Sequence, residues 1–318
     1  MNPSPEPALT TLDGGVVRVT LPMPSKPGHV HAYLLPGSDG WTLVDTGLGL
    51  PDAQEQWSGV LDRMDGEVAR IFITHFHPDH VGASADLVEL TSAPLYQGSL
   101  DFAQCTQTWS SKRRQDTIWE WLQAQGMPDE EEDEMRSFGE TYRRMTRYAT
   151  KPILVEPGDR IDGWELIAAP GHADGQLMLL KGTILVAGDH ILPHISPAIG
   201  LWPDSSSDPL GDYLGALRVV PQLGAQLALP GHGDPIDDPA YRALELIKHH
   251  DGRLDQLHQA LGEQPQTAYE LSFPLFGFEL APAARRFAVT ETASHLERLV
   301  REERATRRAS DVQTAYST

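Results

Sequence analysis

The segment Ile71 to His80 limits what this chain can fold into more than any other stretch. Ile71-Phe72-Ile73-Thr74 is an apolar run that reads as a buried strand, and it empties into His75-Phe76-His77-Pro78-Asp79-His80. Imidazole and carboxylate are the side chains that bind borderline divalent ions such as zinc. In a loop, alternate residues can turn toward one point, so His75 and His77 can share an ion. Asp79 and His80 then open the next turn and face a second. Histidines gathered by chance at a helix start are the alternative, and the density of ligands in so few positions argues against it.

Three more candidates follow, each on a glycine turn after an apolar strand. Leu166 to Ala169 leads into Pro170-Gly171-His172, Thr183 to Ala187 into Gly188-Asp189-His190, and Gln226 to Leu229 into Pro230-Gly231-His232-Gly233. A glycine beside a ligand lets the backbone take conformations that a Cβ would forbid. Each strand end can therefore aim its side chain at a shared centre. Any one of them could be an ordinary polar turn, but all of them in this order are hard to explain that way.

With these motifs in place, the chain resembles the metallo-β-lactamase superfamily. The matching residues are His75-x-His77-x-Asp79-His80, His172, Asp189 and His232, with Leu43-Val44-Asp45-Thr46-Gly47 as the early strand-end motif. The resemblance spans roughly residues 15 to 250 and is specific for fold and metal site rather than for substrate. It implies that His75, His77 and His172 hold one metal, that Asp79, His80 and His232 hold another, and that Asp189 bridges them. Asp45 would orient ligands from behind, and His190 would do the same beside the bridge. A narrower likeness, to the lactamase-beta-like branch, rests on Pro170 to Leu177, Gly188 to Leu192 and Leu229 to Pro235. It is supported by Lys248 to Arg253, Thr267 to Leu271 and Ser294 to Leu299. That branch includes an endoribonuclease. Gln176 stands where many members carry a second His. His190 stands where the glyoxalase II type has Thr, which weakens a glutathione-thioesterase reading.

The implied fold class is α/β: an αββα sandwich with a helical insertion and a C-terminal helical, winged-helix-like appendage. Residues 1–240 would form the sandwich, with 98–150 as insertion or lid; 241–308 would form the appendage and 309–318 a frayed tail. Strands are expected at Val16 to Val19, Ala32 to Leu35 and Trp41 to Val44, and helices near 52–64 and 79–90. Asp208-Pro209 and Asp238-Pro239 each offer a cap and a first-turn proline. The insertion holds Trp109, Trp119, Trp121, Tyr142 and Tyr148. The functional expectation is a lid lining an apolar pocket over the metals; the bland one is a helical hairpin whose aromatics pack on each other.

Composition bounds the rest. The chain has 318 residues, 40% of them hydrophobic, enough for both a large core and an appendage. Cys105 is the single cysteine, which rules out a disulfide within the chain and makes a thiolate ligand a poor expectation. The start, Met1 to Pro7, has no basic segment and no apolar core, and no run approaches the ~20 residues that span a bilayer. A cytoplasmic location without membrane contact is expected. The net charge of −20 disfavours nucleic acid as a partner without excluding it. A last helix is expected from Ala283 to Glu303, and Arg298, Arg301, Arg304, Arg307 and Arg308, assigned to it and diluted by Glu297, Glu302 and Glu303, read as a solvated face. His29 and His31 alternate on a strand and are expected at the pocket rim.

The resulting expectation is a hydrolase with two divalent ions, zinc first and iron or manganese as alternatives. Its partner would be a small-molecule ester, thioester or lactone; a homodimer is left open. A metal-bridging hydroxide would attack, and Asp79 would accept or pass on a proton. The alternatives are a metal-dependent endoribonuclease, a mononuclear-iron sulfur dioxygenase and a non-catalytic binding protein.

Overall fold

The computed structural model of the chain describes residues 5–110, 113–310 and 312–318, so Met1 to Ser4 of the N-terminal run and Asp311 of the tail lie outside the described residues. In order, the elements are β1 (Ala8–Thr11), β2 (Val17–Pro22), β3 (His29–Pro36), β4 (Trp41–Val44), α1 (Ala53–Leu61), β5 (Val68–Ile73), α2 (Pro78–Val81), α3 (Ser84–Thr91) and β6 (Leu95–Gly98). The insertion contributes α4 (Ser99–Ser110), α5 (Arg113–Ala124) and α6 (Glu132–Arg144). Then come β7 (Ile153–Val155), β8 (Arg160–Ile161), β9 (Trp164–Ala168), β10 (Leu177–Lys181), β11 (Ile184–Gly188), α7 (Pro209–Leu217) and β12 (Leu227–Pro230). The chain closes with α8 (Pro239–Ala260), α9 (Ala268–Phe276), α10 (Pro282–Arg301), β13 (Thr306–Ala309) and β14 (Thr314–Ser317).

Two sheets stack face to face. The first runs β1 to β7 in sequence order, and the second runs β12-β11-β10-β9-β8. Strand alternation sorts side chains between layers. On β5, Ile71 and Ile73 join the core under α1 and α3, while Phe72 points the other way, into the core between the sheets. On β10, Leu177 and Leu179 enter the same inter-sheet core, and Met178 packs outward beneath α7, α8 and α10. Three apolar layers separated by two sheets make this an αββα sandwich, as the resemblance implies.

The expected caps form: Asp208 accepts from Gly211 N at 3.0 Å, and Asp238 from Tyr241 N at 2.9 Å. The frayed tail is corrected. Thr306–Ala309 and Thr314–Ser317 pair antiparallel as β13 and β14. Tyr316 is buried, exchanges backbone hydrogen bonds with Gln266, and donates its hydroxyl to Glu297 Oε1 at 2.8 Å. One aromatic on the inward face, with its polar tip satisfied, is enough to dock so short an end. A second correction follows from it. α10 stops at Arg301, so Arg307 and Arg308 lie on β13 rather than on the helix. Arg298, Arg301, Arg304 and Arg307 each meet a carboxylate.

Candidate metal centre

Every predicted ligand sits at the end of a strand or in the first turn beyond it, and the two sheets bring those ends together. His75 and His77 follow β5, Asp79 and His80 lie in α2, and His172, Asp189 and His232 follow β9, β11 and β12. Potential ligand atoms of His75, His77 and His172 lie within 4.8 Å of one another, as do those of His75, His80 and Asp189, and those of Asp79, His80 and His232. Asp189 is central: Oδ2 is 3.3 Å from His232 Nε2 and 3.6 Å from His172 Nε2, and Oδ1 is 3.5 Å from His80 Nε2.

Four of the five imidazoles are pinned through Nδ1, which leaves Nε2 facing inward. His75 Nδ1 meets Thr74 Oγ1 at 3.0 Å, and that hydroxyl donates to Asp45 Oδ2 at 2.8 Å. His80 Nδ1 meets the same Asp45 oxygen at 2.8 Å. His172 Nδ1 donates to the carbonyl of Ala198 and His232 Nδ1 to that of His29, both at 2.8 Å. His77 turns its Nδ1 inward instead, 2.8 Å from His172 Nε2. Fixing one nitrogen fixes the tautomer and frees the other as a ligand. Inside this ring His75 Nε2, His80 Nε2 and Asp189 Oδ1 are buried with no hydrogen-bond partner among the described residues. Buried polar atoms are rarely left so, and a divalent cation would satisfy them together. The donor set fits two such ions.

The electrostatics agree. Burial drives His75 well below the ordinary imidazole value and His77 to about 3, so both are neutral. Burial also opposes charge on His232, but Asp189 and then Asp79 outweigh it and lift the ring to about 10. Burial pushes Asp79 up, yet His80 and His232 prevail and hold it at about 2. Without a cation, protons on His80 and His232 balance the carboxylates.

Close approach explains one glycine. A Cβ on Gly231 would run into the Asp189 carboxylate and would stand 2.7 Å from His80 Cε1. Asp45 shows the opposite solution: a non-glycine at φ 62°, held there by Thr74 N donating to Oδ1 at 2.8 Å.

Other residues fall into place around this ring. His29 and His31 brace the His232 loop: His29 Nε2 accepts from Gly233 N, and His31 Nε2 meets Gly233 O. The ring of His190, expected to support the ligands, makes no hydrogen bond to any described residue at either nitrogen. It packs on Tyr213, whose hydroxyl donates to the His190 carbonyl. Burial takes that ring to about 3, so it sits neutral in an apolar slot rather than behind a ligand. Asp174 ties α4 to the chain before α7 through Gln104 and Ser206. The clamp on the metal loop escaped the sequence. Phe76 N donates to Asp101 Oδ1 at 2.9 Å, and Trp109 Nε1 donates to Phe76 O at 2.9 Å. Trp119, expected over the metals, is buried with Leu122 and Met135 in the core under α10.

A second group, His250, Glu291 and His295, also clusters closely. Its hydrogen bonds run in one direction. Ser196 Oγ meets His250 Nε2 at 2.9 Å, His250 Nδ1 meets His295 Nε2 at 3.1 Å, and His295 Nδ1 donates to Glu291 O at 2.8 Å. Both rings are used at both nitrogens as neutral imidazoles, so this is a tether rather than a cation site.

Residues 25–232 match the family described as "Metallo-beta-lactamase superfamily", and residues 254–316 match "Metallo-beta-lactamase-like, C-terminal domain". The chain is 29% identical to "Probable metallo-hydrolase YqjP" of Bacillus subtilis (strain 168), covering 94% of this chain and 95% of that one. It superposes on the metallo-beta-lactamase family protein TTHA1429 of Thermus thermophilus with a TM-score of 0.84 at 32% identity, covering 97% of this chain and 99% of that one. A beta-lactamase domain protein of Burkholderia ambifaria gives a TM-score of 0.87 at 25% identity, covering 97% and 94% respectively.

Proposed function

The chain belongs to the metallo-beta-lactamase superfamily and is a metal-dependent hydrolase, and from that premise we propose a dinuclear centre that cleaves an ester, thioester or lactone. The observation that carries the reading is the set of atoms His75 Nε2, His80 Nε2 and Asp189 Oδ1, buried and unpartnered among the described residues and ringed by ligands whose other nitrogens are already engaged. His75, His77 and His172 would hold one ion; Asp79, His80 and His232 would hold the other, with Asp189 between them. Two such ions, when bound, supply an activated water at neutral pH and polarise the acyl oxygen.

The protein's own groups do the rest. Asp189 links the two halves of the site, since Oδ2 addresses His172 of one set and His232 of the other, while Oδ1 addresses His80. Asp79 is partly open, with its side chain 16% exposed, and it is ionised. Its carboxylate can take a proton from the attacking water and return it to the leaving oxygen or sulfur. Cys105 is buried in the outer core and burial raises its thiol, so it takes no part.

Metal analysis of the purified protein should find about two transition-metal ions per chain, with zinc expected. Asp189→Ala and His77→Ala should each abolish turnover on an ester, thioester and lactone panel, while Cys105→Ala should leave it nearly intact. One tightly bound iron with no second ion, or full activity in Asp189→Ala, would sink the dinuclear reading.

A further inference from the structure

Among the described residues, two arginines are more than nine-tenths buried. Arg285 is accounted for, because its guanidinium donates to Ser272 Oγ at 3.1 Å and to Gly277 O at 2.5 Å. Arg286 is not. It is 8% exposed, it makes neither a hydrogen bond nor an ion pair with any described residue, and its buried Nε has no partner. Aromatic faces surround it instead: Phe138 of α6 at 4.6 Å, Phe287 at 4.7 Å, and Trp202, between β11 and α7, at 5.5 Å. Burial lowers the guanidinium to about 10, so it remains a cation at neutral pH. Ring faces attract a cation, but they accept none of its directional N–H bonds. An apolar side chain would fill the same cage at no electrostatic cost. A charge kept here without an anion calls for one from outside.

The cage is tied to the metal centre from two sides. Ala198, whose carbonyl orients His172, lies four residues before Trp202, a separation of at most about 14 Å of chain. Between them, Leu201 N donates to Thr290 O, one turn beyond Arg286 on α10. On the other side, the ring of Phe138 is 4.7 Å from that of Tyr142, whose hydroxyl donates to Ser25 Oγ in the turn between β2 and β3. That turn leads into His29, whose carbonyl orients His232.

We propose that Arg286 is the receptor for an anionic group, carboxylate or phosphate, carried by the acyl substrate some distance from its scissile carbonyl. The inference rests on the hydrolase reading above and names its substrate class. The planar fork of Arg286 can pair with two oxygens of such a group. Trp202, Phe138 and Phe287 would pack on the apolar chain linking that group to the carbonyl. In a protein of net charge −20, an anionic substrate needs such a local cation.

The test compares wild type, Arg286→Met and Arg286→Lys, all metal-loaded, on two matched pairs. The first pair sets mono-4-nitrophenyl adipate against 4-nitrophenyl hexanoate, so the charge is a carboxylate on the acyl part. The second sets butyryl coenzyme A against S-butyryl-N-acetylcysteamine, so the charge is phosphate on the leaving part. Wild type should prefer the charged member of one pair by tenfold or more in kcat/KM. Arg286→Met should cut that preference at least tenfold, mostly through KM, and Arg286→Lys by less. The responding pair identifies the anion. An unchanged preference in Arg286→Met for both pairs overturns the proposal. If no compound is hydrolysed, the ester and thioester reading fails by itself. Calorimetric titration of adipate and of inorganic phosphate into the same proteins then decides on Arg286: tenfold weaker binding in Arg286→Met supports it, and equal binding overturns it. Should Arg286→Met lack a cooperative melt, Arg286→Gln takes its place under the same criteria.

Discussion

The carboxylate of Asp45 sets the proton pattern of the centre without facing it. Oδ1 accepts from Thr74 N, and Oδ2 accepts from Thr74 Oγ1 and His80 Nδ1. Asn tolerates positive φ nearly as well, so Asp45→Asn should fold. Its amide, however, presents N–H where an acceptor is needed. Turned toward His80, it forces the ring proton onto Nε2, the nitrogen that faces the ions. Chelator competition should show metal affinity reduced about 10–100-fold in Asp45→Asn, with a melt close to wild type; unaltered affinity would remove Asp45 from this role. A second expectation concerns protons. The metal-free His232 titrates at about 10, raised by Asp189 and Asp79 against burial, so at neutral pH a cation must displace its proton. A proton competes less as pH rises, so affinity should increase between about pH 6.5 and 8.5. Calorimetry in buffers of different ionisation enthalpy should detect protons released on binding. Affinity independent of pH would contradict the charge balance described here.

Strands and helices divide the work at the next scale: strand ends present the ligands, and helices hold the loops that carry them. The loop after β11 shows how. Arg242 of α8 donates to the carbonyls of Leu192 and Ile195, and the His250–His295 tether holds Ser196. Two residues on, the Ala198 carbonyl fixes His172. His250→Phe leaves the inward nitrogen of His295 unpaired and releases Ser196 from the tether, which should cost about 1–3 kcal/mol in a denaturant melt and weaken metal binding. A loss of stability with metal affinity intact would separate the tether from the site. Trp119→Ala should cost about 3–5 kcal/mol, as a core cavity rather than a binding defect. These elements also mark what sequence could reveal. Apolar runs exposed β2, β3, β4, β5, β9, β11 and β12, and the His/Asp spacing exposed the ligands, because both are written in side-chain type. The carbonyls of His29 and Ala198 leave no such trace, since any residue supplies one. The β13–β14 pair hid because a single aromatic, Tyr316, docks it. The aromatics of the insertion were ambiguous because one composition serves opposite fates: Trp109 clamps the metal loop while Trp119 fills the core.

The molecule as a whole places its ligands on both sides of the sandwich. His75, His77, Asp79 and His80 come from the β5 side, and His172, Asp189 and His232 come from strands of the second sheet. Ions held among them therefore fasten one sheet to the other, and they do so only in the folded state. Binding to the native form alone stabilises by about 2.7 kcal/mol at a free concentration about 100 times the dissociation constant. For a chain of this size, that corresponds to a rise of roughly 4 °C in melting temperature. Stripping the metals should lower the melt by about that much, and the fall should grow with the concentration of free zinc in the reference sample. The apo protein should keep a cooperative transition, because three separate apolar cores remain. His232→Ala, which removes a ligand of the second sheet, should abolish most of the metal-dependent gain, and it should also lower the apo melt near neutral pH, because the protonated ring that balances Asp189 and Asp79 is lost. A protein whose melting temperature ignores both chelation and added zinc would show that the native fold holds no zinc in preference to the unfolded chain, and that the sandwich is closed by packing alone.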